Sequence, residues 1–147
     1  MAASAYFDLG KHHRVITTSS EVAQTWFDRG LIWLYGFNHE EAIVCFENAV
    51  AEDPDCAMAH WGIAFAIGPN YNKAWDMFER AERERSLATA QRAIVDGLAV
   101  ASASATEWEL LEALRTRYPI DPETEDFGPF NDAFAVAMRA IYEAAPS

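Results

Sequence analysis

Cys56 and His60 stand four residues apart, a separation that puts two side chains on one face of a helix. A thiolate and an imidazole so placed can converge on one soft metal ion, with His39, Glu40 or Asp55 completing the set. Spacing fixes a single pair here, and a cysteine in an apolar run usually packs as a small hydrophobe. Cys56 is therefore expected to be a packing residue and His60 a partly exposed polar one, and no metal is expected. His12, His13 and Arg14 carry the donors of an anion clasp, but a solvated arm is the simpler reading. Asn38, His39, Asn70, Tyr71 and Asn72 fall near predicted helix ends and could meet on one edge, where they would bind a peptide or a small ligand. Each also has a local duty available: Asn38 and Asn72 as helix caps, Tyr71 as a loop plug. Glu40 and Glu41 beside His39 invite acid–base chemistry, yet Glu41 is accounted for as a cap partner and Glu40 as a solvated residue of a first helical turn. There is no Gly-x-Ser-x-Gly, P-loop, His-Glu-x-x-His or dinucleotide glycine fingerprint. No cofactor is expected, and the chain reads as non-enzymatic.

Composition narrows the partners. The net charge is −12, and no basic stripe offsets it, so phosphate backbones are repelled and nucleic acid is not expected. No run approaches the ~18 apolar residues of a membrane helix, and Met1 to Gly10 lacks the pattern of a signal peptide. Two cysteines make no disulfide framework, so a reducing cytoplasm is the expected setting. Half of the 147 residues are hydrophobic, with five Trp, nine Phe and five Tyr, which is ample for one packed core.

These residues must be held by helices. Residues Met1 to Thr18 have no period and are expected to form an N-terminal arm, leaving 19–147 as a helical domain. Ser19 or Ser20 caps a first helix that runs to about Tyr35, apolar nearly all round with Trp26, Phe27, Leu31, Trp33, Leu34 and Tyr35. Asn38 and Glu41 resemble a capping box and open a second helix from His39 to about Ala51. A third starts at Asp53-Pro54 and stops at Gly68-Pro69. A mixed helix is expected over Lys73 to Arg85, another from Leu87 to about Ala101, and one capped by Thr106 and Glu109. Pro119 to Pro129 has no period and reads as a loop. Asn131 opens the last helix, with Phe134, Met138, Ile141 and Tyr142 facing inward.

One pattern recurs along these helices: Ala42, Phe46, Ala49, then Ala90, Ile94, Gly97, then Ala137, Ile141, Ala144. Small, large and small residues at i, i+4 and i+7 share one stripe, where small positions admit a neighbouring helix and the large one fills the gap. Such repetition predicts stacked helical hairpins. Trp26, Gly30, Trp33, Ala42, Phe46, Ala49 and Pro54 match the tetratricopeptide pattern, with Arg29 at its leucine position and Trp33 at its tyrosine. The chain thus resembles a tetratricopeptide repeat protein. The segments Phe37-Asn38-His39-Glu40-Glu41-Ala42 and Gly68-Pro69-Asn70-Tyr71-Asn72 are similar to a bacterial subgroup of longer members, so the chain is expected to be an N-terminal portion of such a protein.

The spacing from Ala42 to Ala90 is 48 residues and from Ala90 to Ala137 is 47, longer than the usual repeat of about 34. The excess falls at Gly68 to Arg85 and Pro119 to Pro129. The expected fold is all-α: stacked antiparallel hairpins, about three pairs, in a tetratricopeptide-like α-α superhelix with two long insertions. The resemblance implies a groove lined by first helices, which makes Gln24, Phe27, Leu31 and Leu34 groove-facing. The leading functional expectation is a protein-interaction scaffold binding a peptide or partner helix, at that face or at the edge holding Asn38, His39, His60, Asn70, Tyr71 and Asn72. The alternative is a small-molecule or metal-binding protein, or a fragment of an enzyme, using His39, Cys56, His60 and Tyr71. Self-association through Phe134, Met138 and Ile141 of the last helix is a further expectation.

Overall fold

The computed structural model describes residues 6–145, so Met1 to Ala5 of the expected arm lie outside the described residues, as do Pro146 and Ser147. The described chain is all-helical: α1 (Glu21–Tyr35), α2 (His39–Glu52), α3 (Ala57–Ile67), a 3-10 turn at Trp75–Met77, α4 (Arg80–Leu98), α5 (Ala105–Arg117) and α6 (Gly128–Ala144). Among the described residues there is no strand, only an isolated bridge between Asn70 and Lys73.

Consecutive helices pack against one another, and α3 also touches α1 while α5 also touches α3. α3 thus enters the angle between α1 and α2, and α5 touches both α3 and α4. The reason is visible at Phe46, which is fully buried. A Cβ built on Gly30 of α1 or on Gly62 of α3 would lie 2.5 Å from its ring. Two helices close over one phenyl ring because neither carries a side chain there. Gly97 repeats this on α4, where an added Cβ would meet Leu111 of α5 at 2.9 Å and His60 of α3 at 3.2 Å. Phe27, Leu31 and Leu34 of α1, with Ala42, Phe46 and Ala49 of α2, form a first core. A second gathers Trp75, Phe78, Leu87, Ile94, Leu114, Tyr118 and Phe127.

The two insertions build that second core rather than hanging free. Phe127 stacks on Trp75 with ring centres 5.4 Å apart, and Tyr118 meets the same indole edge-on at 5.7 Å. The Tyr118 hydroxyl donates to the Ala64 carbonyl at 2.5 Å, and Gln91 Nε2 donates to the Pro119 carbonyl at 2.8 Å. Arg80 pairs with Glu123 across the insertions.

Several boundaries differ from expectation. Residues Asp53 to Cys56 form a turn, with Cys56 at the cap position of α3, so Pro54 lies outside the helix. One helix spans Arg80–Leu98 where two were expected to meet near Ser86, and Lys73 precedes it in the loop. The capping box of α5 is Ser104 with Glu107, not Thr106 with Glu109. The last helix begins at Gly128 with Pro129 in its first turn, ahead of Asn131. It buries no residue fully: Phe134, Met138 and Ile141 are half-covered and Tyr142 is exposed.

Candidate functional site

The antiparallel run of helices leaves two ends. At one, Thr18 Oγ1 donates to Asp53 Oδ2, and the Thr17 amide donates to Glu107 Oε2 at 2.9 Å, joining the arm to the α2–α3 turn and to α5. At the other, the α1–α2 turn, the end of α3, the first insertion and the start of α4 border an open cavity of about 410 Å3. Its apolar wall is Ile43, Ala66, Ile67 and Phe78; its polar wall includes Asn38, His39, Asn70, Lys73 and Glu82.

Each polar residue is fixed by local structure. Phe37 takes a left-handed backbone, φ 63°, which closes the α1–α2 turn. That turn sets Asn38 as the α2 cap, its side chain accepting from the Glu41 amide at 3.2 Å. His39 follows in the first turn of α2, its ring 6.2 Å from the Phe37 ring. Asn70 and Lys73 exchange backbone hydrogen bonds of 2.9 and 3.1 Å, pinching off a tight loop whose tip is Tyr71 and Asn72. Asn70 Oδ1 accepts from the Asn72 amide at 2.9 Å. Lys73 pairs with Glu82 and lies 4.4 Å from the centre of the Phe78 ring. The hydrogen bond from Lys73 holds the Glu82 carboxyl below the usual range, so it is ionised at neutral pH. Ser86, itself buried, adds a hydroxyl to the wall. The cavity therefore offers both signs of charge and amide groups above an apolar floor. That mixture suits a ligand with alternating donors and acceptors, such as a peptide backbone, better than a lone anion.

Of the five edge residues, Asn38, His39 and Asn70 line this cavity. Tyr71 does not plug the loop; it is 94% exposed at the tip, beside Asn72. Asn72 caps no helix, because Lys73 stays in the loop. His60 faces elsewhere. It is buried on α3, where its Nε2 donates to the Pro54 carbonyl at 2.9 Å, so its expected partial exposure is corrected. Lys73, Phe78 and Glu82 are not marked as site residues by the sequence, because the stretch from Lys73 to Arg85 reads as one helix, and Ser86 falls at the expected break after it. The signal available was the charge alternation of Lys73 and Glu82 straddling the aromatic pair Trp75 and Phe78.

The α1 face is also different from the groove implied by the resemblance. Phe27, Leu31 and Leu34 are buried in the first core. Gln24 holds the arm instead, accepting from the Ile16 amide at 3.1 Å and donating to the Arg14 carbonyl at 2.8 Å. The far side of α1 meets the arm: the Tyr6 hydroxyl accepts from Trp33 Nε1 at 2.7 Å and donates to Glu41 at 3.1 Å. The Arg29 guanidinium lies over the rings of both Tyr6 and Trp26. His13 faces the Asp28 carboxylate at 2.6 Å, and the Arg14 amide bonds the same group, so these residues strap the arm down rather than form an anion clasp.

His39, Cys56, His60 and Tyr71 do not converge. His39 lines the cavity, Cys56 sits at the opposite end of α3, and Tyr71 stands in solvent. Among the described residues no three histidine, cysteine or acidic side chains are grouped to hold a metal ion. Both cysteines are free and buried; burial pushes the Cys45 thiol up and the Cys56 thiol to about 11, which leaves each protonated and a poor nucleophile. Among the described residues no helix is long and apolar enough to cross a membrane. No family model matches the chain, and neither does any curated protein or solved structure.

Proposed function

We propose that this chain is a non-catalytic, tetratricopeptide-like interaction module that holds an extended peptide segment of a partner protein in the cavity between the α1–α2 turn and the first insertion. The observation that carries the reading is the convergence of Asn38, His39, Asn70, Lys73 and Glu82 around the apolar floor of Ile43, Ile67 and Phe78. Mixed polar groups over an apolar floor recognise backbone and side chain together, and the exposed Phe37 and Tyr71 at its edge add aromatic area for contact. Three repeats of the small–large–small stripe on α2, α4 and α6 support a repeat scaffold as the frame. The face offered by α1 is not the site in this reading, since the arm covers it.

A photo-crosslinking side chain at Tyr71, compared with one at Glu52 on the opposite end, tests the proposal. The expected result is a discrete partner peptide captured at position 71 and not at 52. Capture should fall when Lys73→Glu and His39→Glu are combined. Equal capture at both positions, capture indifferent to those substitutions, or none at all overturns the reading.

A further inference from the structure

Ser86 carries a hydroxyl that the fold does not use. It lies on α4 one turn after Glu82, on the same helix face, and is only 6% exposed. A hydroxyl within a helix can bond back to a carbonyl three or four residues earlier, as Thr25 does to Glu21 and Thr116 to Ala113. Among the described residues the Ser86 hydroxyl has no such partner, nor any other. The space it borders is the cavity between the α1–α2 turn and the first insertion, over the floor of Ile43, Ile67 and Phe78. An unmatched buried hydroxyl is costly to a fold, and a ligand that supplies its partner recovers that cost.

The rest of the wall states what that ligand group must be. Lys73 and Glu82 neutralise each other. The side-chain oxygens of Asn38 and Asn70 already accept from the Glu41 and Asn72 amides, so what these two residues have left to offer is their NH2 donors. A carboxylate brought in would meet Glu40 and Glu82, an ammonium would compete with Lys73 for Glu82, and an apolar end would leave the Ser86 hydroxyl unmatched. A neutral group with an acceptor oxygen and a donor of its own avoids all three. We infer that Ser86 is the specificity-determining residue of the peptide cavity and selects a carboxamide side chain, asparagine or glutamine, at the inserted position of the bound segment. The carboxamide oxygen accepts from the wall, and its NH2 donates to the Ser86 oxygen. A site built to hydrogen-bond such a group rejects an apolar side chain of the same shape. This inference rests on the peptide reading of the cavity.

The probe is a phage-displayed library of random octapeptides, selected on the full chain and counter-selected on the full chain with His39→Glu and Lys73→Glu combined. Cavity binders are those that the double variant loses. Among them one position should be enriched in asparagine or glutamine. Fluorescein-labelled synthetic copies, titrated by anisotropy, should weaken by about tenfold or more when that carboxamide is replaced by leucine. On Ser86→Ala the carboxamide and leucine forms should bind within about twofold of each other. Urea denaturation gives a second readout that needs no ligand. Ser86→Ala should raise the midpoint, because alanine removes an unmatched buried hydroxyl and favours the helix. A lowered midpoint would show that the hydroxyl serves the fold, and overturns the inference. Cavity binders that carry leucine, aspartate or glutamate at the inserted position, or that ignore Ser86→Ala, overturn it while leaving the peptide reading standing. A library with no binder that the double variant loses overturns the peptide reading, and this inference with it.

Discussion

Phe46 shows how a single residue sets the spacing of three helices. Its ring lies between Gly30 and Gly62, and any Cβ at either site would intrude to 2.5 Å of ring carbons. Gly62→Ala gains about 1 kcal/mol of helix propensity, while overpacking a rigid buried ring costs about 1–3 kcal/mol. Three ring atoms crowd the new methyl, so the cost lies at the upper end and the net change is destabilising. Urea denaturation should show a lower midpoint for Gly62→Ala, and Phe46→Leu in that background should cost less than Phe46→Leu alone. A midpoint equal to the parent would mean that α3 shifts freely and that the ring does not set the spacing. Phe46 and its alanines were legible in the sequence because i, i+4, i+7 spacing is a property of one helix. Gly30 is legible too, through the repeat pattern, but Gly62 is not, since it lies sixteen residues away and nothing local marks it as a contact. The same distinction governs the site. Asn38 and His39 announce themselves by a turn and a cap, whereas Lys73 and Glu82 join them only through the course of an irregular insertion.

Among the elements, the arm and α5 depend on one carboxylate. Glu107 is buried; its Oε1 accepts from the Ser104 amide at 2.9 Å to complete the capping box, and its Oε2 accepts from the Thr17 amide. Sequence spacing allows two such boxes, at Ser104–Glu107 and Thr106–Glu109, because both fit the same pattern. The arm decides between them, from ninety residues away, and for that reason the choice could not be read locally. Ser104→Ala removes one cap acceptor and should cost about 0.5–2 kcal/mol. Glu107→Ala strips acceptors from two amides on different elements and should cost more, since unmet buried donors cost about 1–3 kcal/mol each. Hydrogen exchange separates the two effects: Thr17 should lose protection in Glu107→Ala and keep it in Ser104→Ala. Loss of Thr17 protection in both would mean that the arm rests on the helix end as a whole rather than on this side chain. The unbroken α4 has a similar lesson. Its charged start, Arg80 to Arg85, hides the apolar period, although Arg83 lies 5.5 Å from the centre of the buried Phe127 ring and the i, i+4 pair Arg80–Glu84 adds lateral support along the helix.

At the scale of the whole molecule, burial acts on the acids of both cores and the arm in the same direction. It raises the Cys45 and Cys56 thiols, the Tyr118 phenol in the second core, and the Tyr6 phenol under the arm. Each of these groups is held neutral in the folded chain and ionises earlier when unfolded, so the unfolded state binds fewer protons at alkaline pH. Stability from this source is complete below the ordinary values, near 9 for thiols and 10 for phenols, and is lost as pH rises through the folded ones. The window opens near pH 9, extends to about 11 for Cys56, and runs further for the tyrosines. Within it each group adds about 1.4 kcal/mol per pH unit to the slope. A chain already at −12 has little to offset the further negative charge. The urea midpoint should therefore be level near pH 8 and fall steeply above pH 9, with Cys56→Ala reducing the slope between 9 and 11 rather than the value at pH 8 alone. Tyrosinate absorbance should appear together with the loss of helix for Tyr118, because its hydroxyl cannot ionise while it donates to the Ala64 carbonyl. A midpoint that stays level to pH 11 would show that water reaches these groups in the folded state, and the two cores would then be looser than their packing implies.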